Sequence, residues 1–147
     1  MQDKPKLKIL FLCTGNTCRS QMAEAWARHL KGGQLEACSA GIDPRGVDSM
    51  AIKAMAEAGI DISGQKSKDV NSLGDIAFDY VITLCDSTRE ACPFFPAKTK
   101  IVHAGFDDPP RLAASAQSEE EAMSHYRRVR DEIRAFVEGL PEVLTER

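Results

Sequence analysis

Residues 13 to 20 read Cys13-Thr14-Gly15-Asn16-Thr17-Cys18-Arg19-Ser20. A thiol and a guanidinium at this separation are the parts needed for thiolate attack on a tetrahedral oxyanion. The guanidinium can hold two oxygens through parallel hydrogen bonds. Gly15 and Asn16 are residue types that tolerate left-handed backbone angles. The loop can therefore curl with its amides inward, where their positive partial charge makes an anion cradle. Thr14, Gly15, Asn16, Thr17, Cys18, Arg19 and Ser20 are the candidate oxyanion-binding residues. Cys13 at the mouth is expected to be a stabilised thiolate, favoured by the amides, a helix dipole and Arg19. Ser20 is placed to donate a hydrogen bond to it. The Cys18 side chain is expected to pack beneath the loop. A tight turn over a buried cysteine uses the same residue types, and a short motif alone does not exclude it.

Two further groups carry chemistry. Gly105-Phe106-Asp107-Asp108-Pro109 presents two carboxylates, either of which could act as a general acid for a leaving oxygen. Adjacent side chains diverge, so one of the two is expected to face the site. An Asp before proline is also a common turn residue. The second group is Cys85-Asp86-Ser87-Thr88-Arg89-Glu90-Ala91-Cys92-Pro93. If this segment is helical, its cysteines lie about 10.5 Å apart along the axis, while a disulfide needs Cα atoms within about 4.4–6.8 Å. The two can bond only if the segment unwinds, which its short polar composition and Pro93 permit. Spacing alone favours two unconnected cysteines.

These groups need elements to position them. Lys6 to Leu12 carries apolar Leu7, Ile9, Leu10, Phe11 and Leu12 and leads into a glycine-containing turn, the pattern of a buried strand. From Ser20 the period changes: Met22, Trp26 and Leu30 fall four apart, a helix face that Gly32-Gly33 ends. Leu35 to Ala40 is a second strand, in which Cys38 is expected to pack. Asp48 caps a helix from Ser49 to Ala58. Asp79 to Leu84 and Lys100 to Ala104 are two more strands. Ser118 starts a last helix with Glu121 completing a capping box. Its inward stripe is Tyr126, Val129, Ile133, Phe136 or Val137, and Leu140. Arg111 to Ser118 is expected to be a mobile surface loop. The alternation predicts an α/β fold, a four-stranded parallel sheet flanked by helices on both faces, spanning residues 1–147 as one domain. In such sheets ligands bind beyond the carboxyl ends of the strands. That edge would collect Cys13, Ser39, Cys85 and the Asp pair, which strengthens the reading of the first loop.

Composition narrows the chemistry. The chain has 147 residues and a net charge of −3, which argues against nucleic acid as a partner. No apolar run approaches a membrane span, and the N-terminus has no signal-peptide pattern. A cytoplasmic location is the expectation, and a monomer suits the size. The five cysteines and three histidines match no zinc template, so no metal is expected. In a reducing compartment this leaves nucleophilic or redox chemistry, or burial.

The first loop with Gln21-Met22-Ala23-Glu24 resembles the opening of the thioredoxin-coupled arsenate reductases, which are built on the low-molecular-weight protein tyrosine phosphatase fold. The resemblance continues through Ser39-Ala40-Gly41-Ile42, Asp61-Ile62-Ser63, Val81-Ile82-Thr83-Leu84-Cys85, Cys92-Pro93, Gly105 to Pro109 and Arg128 to Ile133. It implies that Cys13 attacks arsenate, that Arg19 and the loop amides bind its oxygens, and that Asp108 rather than Asp107 assists loss of hydroxide. It further implies that Cys85 then attacks Cys13, that Cys92 attacks Cys85, and that a thioredoxin-like protein reduces the final disulfide. Protein thiols supply the electrons, so no cofactor is needed. The loop alone is shared with the phosphatases, which would use Cys13, Arg19 and Asp108 but leave Cys85 and Cys92 unexplained. A non-catalytic oxyanion-binding or redox-sensing module would share all these residues and show no turnover.

One departure has a consequence for ions. Some members of the resembled family hold potassium near the loop with residues corresponding to Asn16, Glu24, Ser39 and an Asp, and Lys68 stands at that Asp's position. Its ammonium group is expected to take the cation's place and hold Glu24 and Asn16 directly. The alternative is an exposed Lys68 with no such role. Exchanging sodium for potassium at fixed ionic strength should then leave catalytic efficiency unchanged, and a clear rise would contradict this.

Overall fold

A computed structural model describes residues 5–85 and 95–146. The apolar run after Lys6 becomes β1, Leu7–Cys13, an inner strand of a sheet with β2 (Leu35–Gly41), β3 (Tyr80–Thr83) and β4 (Lys100–His103). The order is β2-β1-β3-β4 and every pairing is parallel. From Ile9 to Leu12 β1 lies between two neighbours, which explains why that part is apolar rather than alternating. The period of two still divides its side chains. Ile9 and Phe11 join the larger core cluster, and Leu10 and Leu12 join a smaller one on the other face with Val81 and Phe78.

The helices are α1 (Arg19–Lys31), α2 (Ser49–Glu57), α3 (Pro109–Ala113) and α4 (Glu119–Glu138). Met22 and Trp26 of α1, Met55 of α2 and Val129 and Ile133 of α4 are all fully or almost fully buried in the larger cluster. On the last stripe Val137 is the buried residue, while Phe136 is partly buried against it and meets the Phe106 ring edge-on at 5.9 Å. The smaller cluster is covered by a 3-10 turn, Val70–Leu73, which supplies Val70.

The capping signals act as read. Asp48 accepts the Met50 amide at 3.0 Å. Ser118 accepts the Glu121 amide at 3.0 Å, and Glu121 reaches back to the Gln117 amide at 2.8 Å. Such caps each contribute about 1 kcal/mol.

The expectation of a loop over Arg111 to Ser118 is corrected at its start. Pro109–Ala113 is a short helix with proline in its first turn and Asp108 at the N-cap. Proline fits there because its missing amide has no helical partner to lose. Residues 114–118 form the turn that leads into α4.

Because all strands run the same way, their carboxyl ends share one edge. Cys13 ends β1 opposite Gly41, and Cys85 follows β3. No described helix is long and apolar enough to cross a membrane.

Candidate active site

The loop from β1 to α1 is shaped by where its carbonyls point. Thr14 O accepts the Asp43 amide at 2.9 Å, Gly15 O the Arg45 amide at 3.0 Å, Thr17 O the Asp48 amide at 2.9 Å and Cys18 O the Met22 amide at 2.9 Å. Asn16 O accepts Gln21 Nε2 at 3.0 Å, and Ser67 Oγ adds a second bond to Gly15 O at 3.0 Å. In a trans peptide the next residue's N–H is antiparallel to the carbonyl. The amides of Gly15, Asn16, Thr17, Cys18 and Arg19 are therefore turned away from these outer partners. That of Gly15 reaches the Cys13 sulfur.

The left-handed residue is Asn16, at φ 50°, and Gly15 does not share that conformation. The buried Asn16 side chain is fixed at both ends: Nδ2 donates to Ser20 Oγ at 2.7 Å and Oδ1 accepts the Lys68 amide at 2.8 Å. Gly41 is required by close approach. A Cβ there would lie 2.7 Å from Thr14 O and 2.9 Å from Asn16 N.

Helix α1 leaves its N-terminus open to a ligand. Cys18 at the N-cap makes no side-chain capping bond and the first turn has no acid. Cys18 itself is buried in the core, as expected. Burial and then Asp48 push its thiol well above the ordinary value.

Arg19 is nearly buried. Its Nη1 donates to Phe106 O at 3.0 Å and its Nη2 lies 3.6 Å from Asp108 Oδ1. Among the described residues its buried Nε has no hydrogen-bond partner, a donor suited to an oxygen of a bound anion. The two aspartates diverge as expected. Asp107 turns outward to Arg128 at 3.0 Å, while Asp108 turns to Arg19. This geometry favours Asp108 independently of any resemblance.

Cys13 and Cys85 line one cleft with Thr14, Thr17, Arg19 and Asp108. Their thiols hydrogen bond each other, and Thr14 Oγ1 lies 3.4 Å from Cys85 Sγ. The expectation of a stabilised Cys13 thiolate is corrected here. The Cys85 contact, followed by burial, raises the Cys13 thiol well above its ordinary value, outweighing the pull of Arg19 and the Gly15 amide toward the thiolate. Two thiols in contact titrate as a coupled pair, so the second proton is harder to remove than the first. Ser20 is buried on Asn16 rather than on Cys13. Cys92 and its pairing with Cys85 lie outside the described residues. Cys38 is half-buried beside the smaller cluster.

Behind the loop, buried Glu24 accepts Ser39 Oγ at 2.8 Å and pairs with Arg28 at 3.4 Å and Lys68 Nζ at 3.6 Å. A buried carboxylate needs such partners, because an unpaired one costs several kcal/mol. The Lys68 ammonium holds Glu24 as expected. Asn16 is held by the Lys68 backbone amide instead, and the ammonium's other bond goes to Lys66 O at 3.1 Å. Among the described residues no group of three or more His, Cys, Asp or Glu is arranged to hold a metal ion.

The profile described as low molecular weight phosphotyrosine protein phosphatase matches residues 8–147. The chain belongs to that family. Within it, the arsenate reductase of Bacillus subtilis (strain 168) is 49% identical over 127 residues, 85% of this chain and 88% of its own length. A solved arsenate reductase in its phosphate-binding state superposes with a TM-score of 0.72 at 33% identity, covering 91% of this chain and 95% of that one. The thioredoxin-dependent arsenate reductase of Corynebacterium glutamicum superposes with a TM-score of 0.66 at 25% identity, covering 90% of this chain and 61% of that one.

The residues that turn the loop leave no functional signature in the sequence. Asp43, Arg45 and Ser67 carry no catalytic signature, and two of them act through backbone amides. Asp48 and Tyr126, both lining the cleft, were legible only as a cap and a core position.

Replacing Cys85 by Ala should lower the Cys13 pKa, since the Cys85 contact is the largest cause raising it. At neutral pH each unit of fall gives about ten times more thiolate, partly offset by its lower nucleophilicity, for a net gain of roughly three- to fourfold. Iodoacetamide labelling of the Cys13 peptide, followed by mass spectrometry, should speed up accordingly. An unchanged rate would mean that burial alone holds the proton.

Proposed function

We propose that this chain reduces arsenate to arsenite in the cytoplasm, using its own thiols as the electron source. Cys13 is the nucleophile, Cys85 the second thiol and Cys92 the third. A thioredoxin-like dithiol protein reduces the final disulfide. The observation that carries this reading is the contact between Cys13 and Cys85 at the foot of an amide-turned loop that also holds Arg19. A phosphatase has no use for a second thiol there. The 49% identity to an arsenate reductase supports the same reading.

The chemistry balances without an outside cofactor. Arsenate enters as an oxyanion held by the loop amides and by Arg19, whose Nε is free to donate. The sulfur of Cys13 attacks arsenic and an arsenic–oxygen bond breaks. The thiol proton and the departing hydroxide leave as water, with Asp108 placed beside Arg19 to pass the proton. The charge on the site is unchanged, so a protonated Cys13 suits a dianionic substrate. Cys85 then attacks the Cys13 sulfur. A sulfur–sulfur bond forms, the sulfur–arsenic bond breaks, and its electron pair stays on arsenic, which leaves as arsenite with the Cys85 thiol proton. Cys92 attacks Cys85, and Cys13 is released for the next cycle. This last step is thiolate–disulfide exchange.

Arsenate-dependent NADPH oxidation, coupled through thioredoxin and thioredoxin reductase, tests this reading. The native chain should turn over, and Cys13→Ser, Cys85→Ser and Cys92→Ser should each abolish steady turnover. No arsenate turnover, with phosphate-ester hydrolysis that needs only Cys13, would make the chain a phosphatase. Consumption of thiol once, without turnover, would make it a sensing module.

A further inference from the structure

Tyr126 of α4 and Asp48 at the cap of α2 meet in the wall of the cleft. The phenol donates a short hydrogen bond to Asp48 Oδ2. Asp48 Oδ1 accepts the Met50 amide at 3.0 Å, and the Asp48 carbonyl accepts the Ile52 amide at 3.0 Å. The Asp48 amide donates to Thr17 O at 2.9 Å. One residue thus joins the first turn of α2, the middle of α4 and the oxyanion loop. Planarity of the peptide carries the effect one atom further. Fixing Thr17 O fixes the Cys18 N–H, the inward donor that precedes Arg19.

The same pair settles a problem of charge. A carboxylate beside an anion site opposes anion binding. Here both Asp48 oxygens are taken up, one by a backbone amide and the other by the phenol. Tyr126 is almost fully buried. Burial, and then the bond to Asp48, hold its hydroxyl protonated far beyond neutral pH, so it remains a donor whenever the enzyme works.

We infer that Tyr126 is a positioning residue for the oxyanion: by holding Asp48 it fixes the Cys18 amide, covers the carboxylate, and so sets how tightly the loop binds its anion. Its hydroxyl is spent on Asp48, so it acts through Asp48 rather than on the reacting atoms. The kinetic part of this inference rests on the proposed arsenate reduction, whereas its binding part needs only the loop.

Tyr126→Phe keeps the ring in the core and removes the bond. Inorganic phosphate, which the thiols cannot reduce, serves as the binding probe by titration calorimetry. The dissociation constant should rise about five- to tenfold, the scale of one lost hydrogen bond. In the coupled assay KM for arsenate should rise by a similar factor with kcat within about twofold, the mark of lost uniform binding. Unchanged phosphate affinity, with or without a lower melting temperature, would overturn the inference. A fall in kcat with KM and phosphate affinity intact would also overturn it. If the native chain did not turn over arsenate, the proposed function would fail while the phosphate titration still decided the role of Tyr126. Should the variant not fold, an amide-resolved NMR titration of the native chain decides it: phosphate should shift the Cys18 amide among the most strongly affected, and an unmoved Cys18 amide would overturn the inference.

Discussion

The rigidity of the peptide bond is the constraint on which this site depends. An anion cradle needs consecutive amides turned the same way, and amides cannot be held from the inside when that is where the ligand must sit. The chain holds the other end of each peptide instead. Asp43, Arg45, Asp48, Met22, Gln21 and Ser67 bind the carbonyls of residues 14–18 from outside. Each net hydrogen bond is worth only about 1 kcal/mol, but together they leave the loop one conformation. The rest of the architecture follows: β2 must end in Gly41 to let the loop pass, and α2 must start at Asp48 to reach Thr17.

The two sulfurs set the chemical character of the cleft. A phosphatase-like loop carrying one thiol would favour the thiolate through its amides and arginine. Placing Cys85 against Cys13 pushes the Cys13 thiol the other way, toward its protonated form. The arrangement suits a reaction in which a proton leaves with hydroxide and a second sulfur must follow at once. In the proposed relay Cys85 already lies against Cys13, so its attack would need little motion, which lowers the entropic barrier of the step. Arg19 serves both ends, since it binds Phe106 O and faces Asp108, joining the oxyanion loop to the loop after β4.

Much of this was legible in the sequence because it was written in local patterns. The β1 run, the switch to a four-residue spacing at Met22 and Trp26, and the caps at Asp48 and Ser118 each reflect a few neighbouring residues. Cys13, Arg19 and Cys85 were legible as a group because a parallel sheet sends strand ends to one edge. What was not legible depends on contacts across the chain. The raised thiol of Cys13 comes from Cys85, far away in sequence. Asn16 rather than Gly15 takes the left-handed angle because its side chain is bonded to both Ser20 and Lys68. The helix Pro109–Ala113 was hidden because paired prolines read as loop unless the first turn of a helix is considered. The outer partners of the loop act largely through backbone groups, which any residue supplies.

The most direct measurement is a single turnover of the Cys92→Ser variant with one equivalent of arsenate and no reductant, followed by peptide mapping under acid quench. Without Cys92 the relay should stop after its second step. Stoichiometric arsenite and a Cys13–Cys85 disulfide are expected, with the chain lighter by two hydrogens. Arsenite without that disulfide, or no arsenite while the same variant still hydrolyses a phosphate ester, would contradict the relay.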